Sequence, residues 1–134
     1  MPHLATYLAR AARLPFRWGE SDCATFVADW VHEAIGRDGM AALRGRYGCP
    51  DGAGRLHGPL GLTGTVRRCA RLAGLVRTSC PRPGDIAVVR HGREIGCAIR
   101  TARGWVLRVD RGLVAVPAVR VIAAWTVEGP VSHG

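Results

Sequence analysis

In the stretch Pro15-Phe16-Arg17-Trp18-Gly19-Glu20-Ser21-Asp22-Cys23-Ala24-Thr25-Phe26-Val27, turn residues give way to a helical pattern with a cysteine at the junction. A thiol in the first turn of a helix meets free backbone N–H groups and the positive end of the helix dipole. Both favour the thiolate, the form that attacks carbonyl carbon. Ser21 or Asp22 can cap this helix. Cys23, Phe26, Val27, Trp30 and Ala34 then share one face, which places the cysteine at the edge of a buried stripe. The same position suits a small core residue, because free cysteine is among the most buried residue types. Nucleophilic chemistry would also require a base within reach.

The elements that would position such a site divide into two halves. Residues from about His3 to Arg13 read as an amphipathic helix with Leu4, Leu8, Ala11 and Ala12 on one side, and Pro15 ends it. The second helix spans about Asp22 to Ile35 and stops at Gly36-Arg37-Asp38-Gly39. A short helix is predicted near Met40 to Tyr47. It is followed by a turn-rich surface loop over Gly48-Cys49-Pro50-Asp51-Gly52-Ala53-Gly54 and a helix from Leu62 to Leu75. The character changes at Pro81-Arg82-Pro83-Gly84-Asp85. Beyond it, Ile86–Arg90, Ile95–Thr101, Trp105–Asp110, Leu113–Val116 and Val119–Val127 read as short strands. Helices first and an antiparallel meander second is an α+β arrangement. The expectation is one domain over 1–134: a helical part to about 78, a strand part over about 79–128 and a loose tail at 129–134. A chain of 134 residues that is 48% hydrophobic is long enough to bury a core.

Composition removes several kinds of chemistry. All 19 basic residues are arginine, and lysine, asparagine and glutamine do not occur. A phosphate-loop lysine and a Schiff base are therefore excluded. No amide side chain can orient a histidine or supply an oxyanion donor, so backbone N–H groups would have to serve. The net charge of +9 attracts anionic partners in general. The arginines are nevertheless spread along the chain, with Arg67-Arg68-Arg71 the only dense group, and specific nucleic-acid binding is not expected. The five cysteines (23, 49, 69, 80 and 97) form no C-x-x-C pair and suggest neither a metal nor an iron–sulfur site. No cofactor is indicated. There is no apolar run of membrane-spanning length and no secretory pattern, so a soluble chain made in the cytoplasm, with free thiols, is expected.

From Pro15 to Val31, the pattern Pro-Phe-x-Trp-Gly followed by Asp22-Cys23-x-x-Phe26-Val27 resembles the nucleophile region of the NlpC-type cell-wall cysteine peptidases. These are papain-like enzymes whose motif reads Pro-Tyr-x-Trp-Gly-Gly, a short gap, then Asp-Cys-Ser-Gly-Phe-Val. Here Ala24-Thr25 replaces Ser-Gly. Pro83-Gly84-Asp85-Ile86 likewise resembles the Pro-Gly-Asp-Leu strand of that superfamily. The resemblance implies a papain-like fold, Cys23 as nucleophile and Asp22 as the preceding acid, and it is closest to compact members encoded among phage and prophage tail genes. Its His-Val-Gly, which carries the general base, corresponds here to Glu94-Ile95-Gly96, and the third polar position falls near Arg108. A carboxyl with a reference pKa near ~4.3 is a poor partner for a thiol near ~8.5, where an imidazole near ~6.5 is closer. A carboxylate there would also disfavour the thiolate, so Glu94 reads better as a surface or ion-pairing residue, with Arg93 or Arg108 as its partner. His91, in the turn between two strands, is the replacement base to consider, although its place in a turn first of all suits an exposed residue. His32 is more than two turns along the helix from Cys23, too far at ~1.5 Å per residue.

Two functions follow as expectations. One is a tail-tip or tail-assembly component of a phage or phage-derived particle, with a degenerate peptidase site and other tail-tip proteins as partners. It would be made in the bacterial cytoplasm and built into the particle. The other is a working cysteine peptidase or amidase acting on bacterial peptidoglycan peptides, with Cys23 as nucleophile and His91 as base. Trp30, Trp105 and Trp125 lie in apolar stretches and are assigned to the core. Trp18, just before the nucleophile, is assigned with Asp22 to substrate binding as a wall of the cleft.

Overall fold

A computed structural model describes residues 4–57 and 61–127. Four helices come first: α1 (Leu4–Ala11), α2 (Cys23–Ile35), α3 (Pro50–His57) and α4 (Gly61–Leu72). Six strands follow: β1 (Val76–Arg77), β2 (Ile86–His91), β3 (Glu94–Thr101), β4 (Gly104–Val109), β5 (Gly112–Val116) and β6 (Arg120–Thr126). The strands form one antiparallel sheet in the order β1-β6-β2-β3-β4-β5. The chain is thus α+β, as its pattern predicts. The tail at 129–134 lies outside the described residues. No described helix is long and apolar enough to cross a membrane.

Strand alternation sends Ile86, Val88, Cys97, Ile99, Ala123 and Trp125 to the helical side of the sheet, where they meet Tyr7, Phe26, Val27 and Trp30 in the main core. Ala87, Val89, Ala98, Trp105, Leu107 and Ala124 form a second apolar cluster from the opposite set of positions. Trp30, Trp105 and Trp125 are all buried, in keeping with their assignment. The Trp30 indole N–H donates to the Gly84 carbonyl (2.7 Å), which fixes α2 to the start of β2. Asp85 is buried beside it. One of its oxygens accepts the Arg82 N–H (2.8 Å) and the other the Val127 N–H (3.1 Å). The Pro-Gly-Asp motif thereby ties the entry of β2 to the exit of β6.

Two local expectations are corrected. Met40–Tyr47 is a series of turns rather than a helix. Asp38 accepts the Met40 N–H, and Arg44 folds back to bond Asp38 and Asp29 (2.7 Å each), while Gly45 N–H donates to the Gly19 carbonyl. These contacts outweigh the helical tendency of the segment. The loop predicted over Gly48–Gly54 contains the start of α3, with Cys49 ahead of it and Pro50 at its first position. Proline is tolerated there because that N–H has no intrahelical partner. The Cys49 carbonyl accepts the Ala53 N–H and its sulfur the Gly52 N–H.

Candidate active site

Asp22 is the N-cap of α2, with extended backbone angles, and forms a capping box with Thr25. Its carboxylate is fully buried and fully used. Oδ1 accepts the Thr25 N–H (2.9 Å), and Oδ2 accepts both the Gly19 N–H (2.8 Å) and the Tyr47 hydroxyl (2.5 Å). Gly19 has φ +82, and a Cβ there would stand 2.3 Å from the Tyr47 carbonyl oxygen. The loop before the cysteine is thus pressed against the segment ending at Tyr47, and glycine is required for both reasons. Burial, then the hydrogen bond to Asp22, pushes the Tyr47 hydroxyl well above its usual range and keeps it a donor.

Cys23 is the first residue of α2 and only half-buried. It packs against the buried cluster that contains Cys97. Hydrogen bonding from the Cys97 thiol is the largest influence on it, and with the backbone N–H groups of Cys97 and Ala24 holds the Cys23 thiol below its ordinary range against burial and the negative charge of Asp22. Cys97 is fully buried, and the bond to Cys23, followed by burial, pushes its own thiol well above the ordinary range.

A cleft of about 260 Å³ opens over Cys23, with Phe16, Trp18, His91, Glu94 and Arg108 among its lining residues. The structure therefore brings Trp18, Cys23, His91 and Glu94 to one place, while Asp22 lies beneath and is not part of the lining. His91 and Glu94 face each other across the β2–β3 hairpin, and both are exposed. Among the described residues, neither side chain makes a hydrogen bond or ion pair, so the pairing of Glu94 with Arg93 or Arg108 is not formed. The register explains why: Cys97 shares the α2-facing side with Ile99, which puts Glu94 in the alternate set with Gly96 and Ala98. Arg108, near the third polar position, is buried and committed elsewhere. Its Nη atoms donate to the Ala11 and Leu14 carbonyls (3.0 and 2.6 Å), and its guanidinium lies 5.8 Å from the centre of the Phe16 ring. Phe16 in turn meets Trp18 edge to face at 4.9 Å, which sets the cleft wall. Arg108 Nε is buried without a partner among the described residues, and burial lowers the guanidinium's pKa.

Sequence reasoning missed the roles of Cys97 and Tyr47. The alternation of β3 carried a signal for Cys97, which sits two residues from Ile99 on the apolar phase. For Tyr47 there was none, because its contact with Asp22 spans 25 residues of irregular chain. No group of three or more His, Cys, Asp or Glu side chains among the described residues could hold a metal ion.

A cysteine at a helix N-terminus, over a six-stranded antiparallel sheet and beneath an open cleft, defines a small α+β protein with a thiol site. Residues 1–127 match the family described as "Domain of unknown function (DUF6950)", and the chain belongs to that family. No curated protein and no solved structure matches it.

Proposed function

We propose that this chain is a papain-like, NlpC-type domain with a degenerate active site, serving as a tail-tip or tail-assembly component of a phage or phage-derived particle. One observation carries the degenerate half of this reading: among the described residues no imidazole bonds Cys23, and His91, the histidine in its cleft, is exposed and unbonded. The buried Cys97 thiol is no substitute, because burial keeps it protonated and unable to take a proton from Cys23. General acid–base help is commonly worth ~10²–10⁴ in rate, and the residue at the expected base position, Glu94, is exposed and unbonded. The buried apparatus around Asp22 supports a scaffold kept for its shape. The particle context rests on the sequence resemblance alone. Mass spectrometry of purified particles from the source, combined with a peptidoglycan-peptide hydrolysis assay, tests both halves. The chain is expected in the particle, with hydrolysis no faster than that of Cys23→Ala; its absence from the particle overturns the assembly role.

A second reading is favoured by the shared cleft. Cys23, His91 and Trp18 line one opening, so closure of the hairpin would make a cysteine peptidase or amidase acting on peptidoglycan peptides. In that case Cys23→Ala and His91→Ala each abolish turnover, and activity retained in either variant removes that pairing.

A further inference from the structure

We propose that Cys23 and Cys97 form a peroxide-oxidisable dithiol, in which Cys23 takes oxygen at the cleft and Cys97 resolves it to a disulfide joining α2 to β3. Cys23, the first residue of α2, packs against the buried cluster that holds Cys97 on the α2-facing side of β3, and its thiol is influenced first of all by that of Cys97. Their access differs: Cys23 is half-buried and lines the cleft, whereas Cys97 is 0% exposed and does not line it. That is the asymmetry a resolving pair needs, with an accessible thiol poised next to a protected one. No other thiol contributes to the hydrogen bonds of Cys23. The backbone N–H groups of Cys97 and Ala24 stabilise its thiolate at the place where attack begins.

The oxidant is hydrogen peroxide. The Cys23 thiolate attacks one peroxide oxygen, the O–O bond breaks, and Cys23 becomes a sulfenic acid while hydroxide leaves and is protonated by solvent. The Cys97 sulfur then attacks the Cys23 sulfur. The S–O bond breaks, and the departing hydroxide takes the Cys97 proton as water. Two thiols lose two electrons, peroxide gains two, and two waters form. The second step closes a disulfide of ~2.05 Å across the packing of α2 on β3. The inference holds whether or not the cleft turns over peptides.

The test uses the full chain, reduced, desalted and exposed to graded hydrogen peroxide, then blocked with iodoacetamide and digested with trypsin without reduction. The expected product is a crosslink between peptides Trp18–Arg37 and Glu94–Arg100, two hydrogens lighter than their sum and reversed by dithiothreitol. It should form at lower peroxide than modification of the exposed Cys49 and Cys80, and it should persist in the Cys49→Ser, Cys80→Ser double variant. In Cys97→Ser, Cys23 should be trapped as a sulfenic acid by dimedone and proceed to sulfinic acid. The wild-type map decides the matter even where that core variant fails to fold. Cys23 found as sulfinic acid beside an intact Cys97, paired to Cys49 or Cys80, or unmodified while those two oxidise, would each overturn the proposal.

Discussion

On the α2 side of the cleft, Asp22 is buried and each of its oxygens is committed: one to the helix, the other to the Gly19 N–H and the Tyr47 hydroxyl. On the hairpin side, His91 and Glu94 project from the end of β2 and the start of β3 with no side-chain partner among the described residues. A buried carboxylate with three donors cannot be removed without leaving those donors unsatisfied, whereas exposed hairpin residues are free to vary. The nucleophile half of a peptidase-like motif can therefore persist on structural grounds after a catalytic half has gone. A motif built around Asp-Cys is consequently weaker evidence for catalysis than its specificity suggests.

Breaking the buried side should have the largest effect. Asp22→Ala removes the cap and strands the Gly19 and Tyr47 donors, with an expected loss of about 3 kcal/mol in urea unfolding. A loss under ~1 kcal/mol would mean that the carboxylate is dispensable to the fold. Gly19→Ala must adopt a left-handed backbone and displace the Tyr47 carbonyl, so a loss of about 2 kcal/mol is expected in the same assay. Cys97→Ala acts more narrowly. In the parent chain the Cys23 pKa is lowered, first of all by the Cys97 thiol, so its thiolate forms at lower pH than that of an ordinary cysteine. Removing that donor should move the pH profile of Cys23 alkylation upward and slow the reaction at pH 7. An unchanged profile would assign the shift to the backbone N–H groups. The smallest effects belong to the hairpin: His91→Ala and Glu94→Ala should each stay within about 0.5 kcal/mol in unfolding and leave Cys23 alkylation untouched. A drop in Cys23 reactivity with His91→Ala would erase the contrast and favour the peptidase reading.

Much of this was legible in the chain. Periodicity located α1 and α2, and Asp22 was readable as a cap because it precedes an apolar helical stripe. The Pro-Gly-Asp run marked the change from helices to strands. Local pattern failed where distant groups decided the outcome. Met40–Tyr47 has helical composition, yet Arg44 pulls the segment into turns by bonding Asp29 on α2 and Asp38. Pro50 and the glycines around it read as turn chemistry because proline's fitness for a first helical position depends on what stands before it. At the site, the sequence pointed to Trp18, Cys23, His91 and Glu94, which line one cleft, but could not give their faces. Whether Glu94 or Cys97 points at α2 depends on strand phase, and a single-residue difference exchanges them.

Arg108 carries a consequence for how the chain is made. The Ala11 carbonyl that ends α1 and the Leu14 carbonyl just beyond it receive side-chain donors from a residue 97 and 94 positions further on. At ribosomal rates of ~5–20 residues per second, about 5–20 s separate the synthesis of that helix from the synthesis of the guanidinium that completes it. Tyr7 can bond Phe26 early, across only 19 residues, so α1 gains a provisional anchor on α2 long before its C-terminal turn is secured. A segment made before the sheet is thus among the last to be finished.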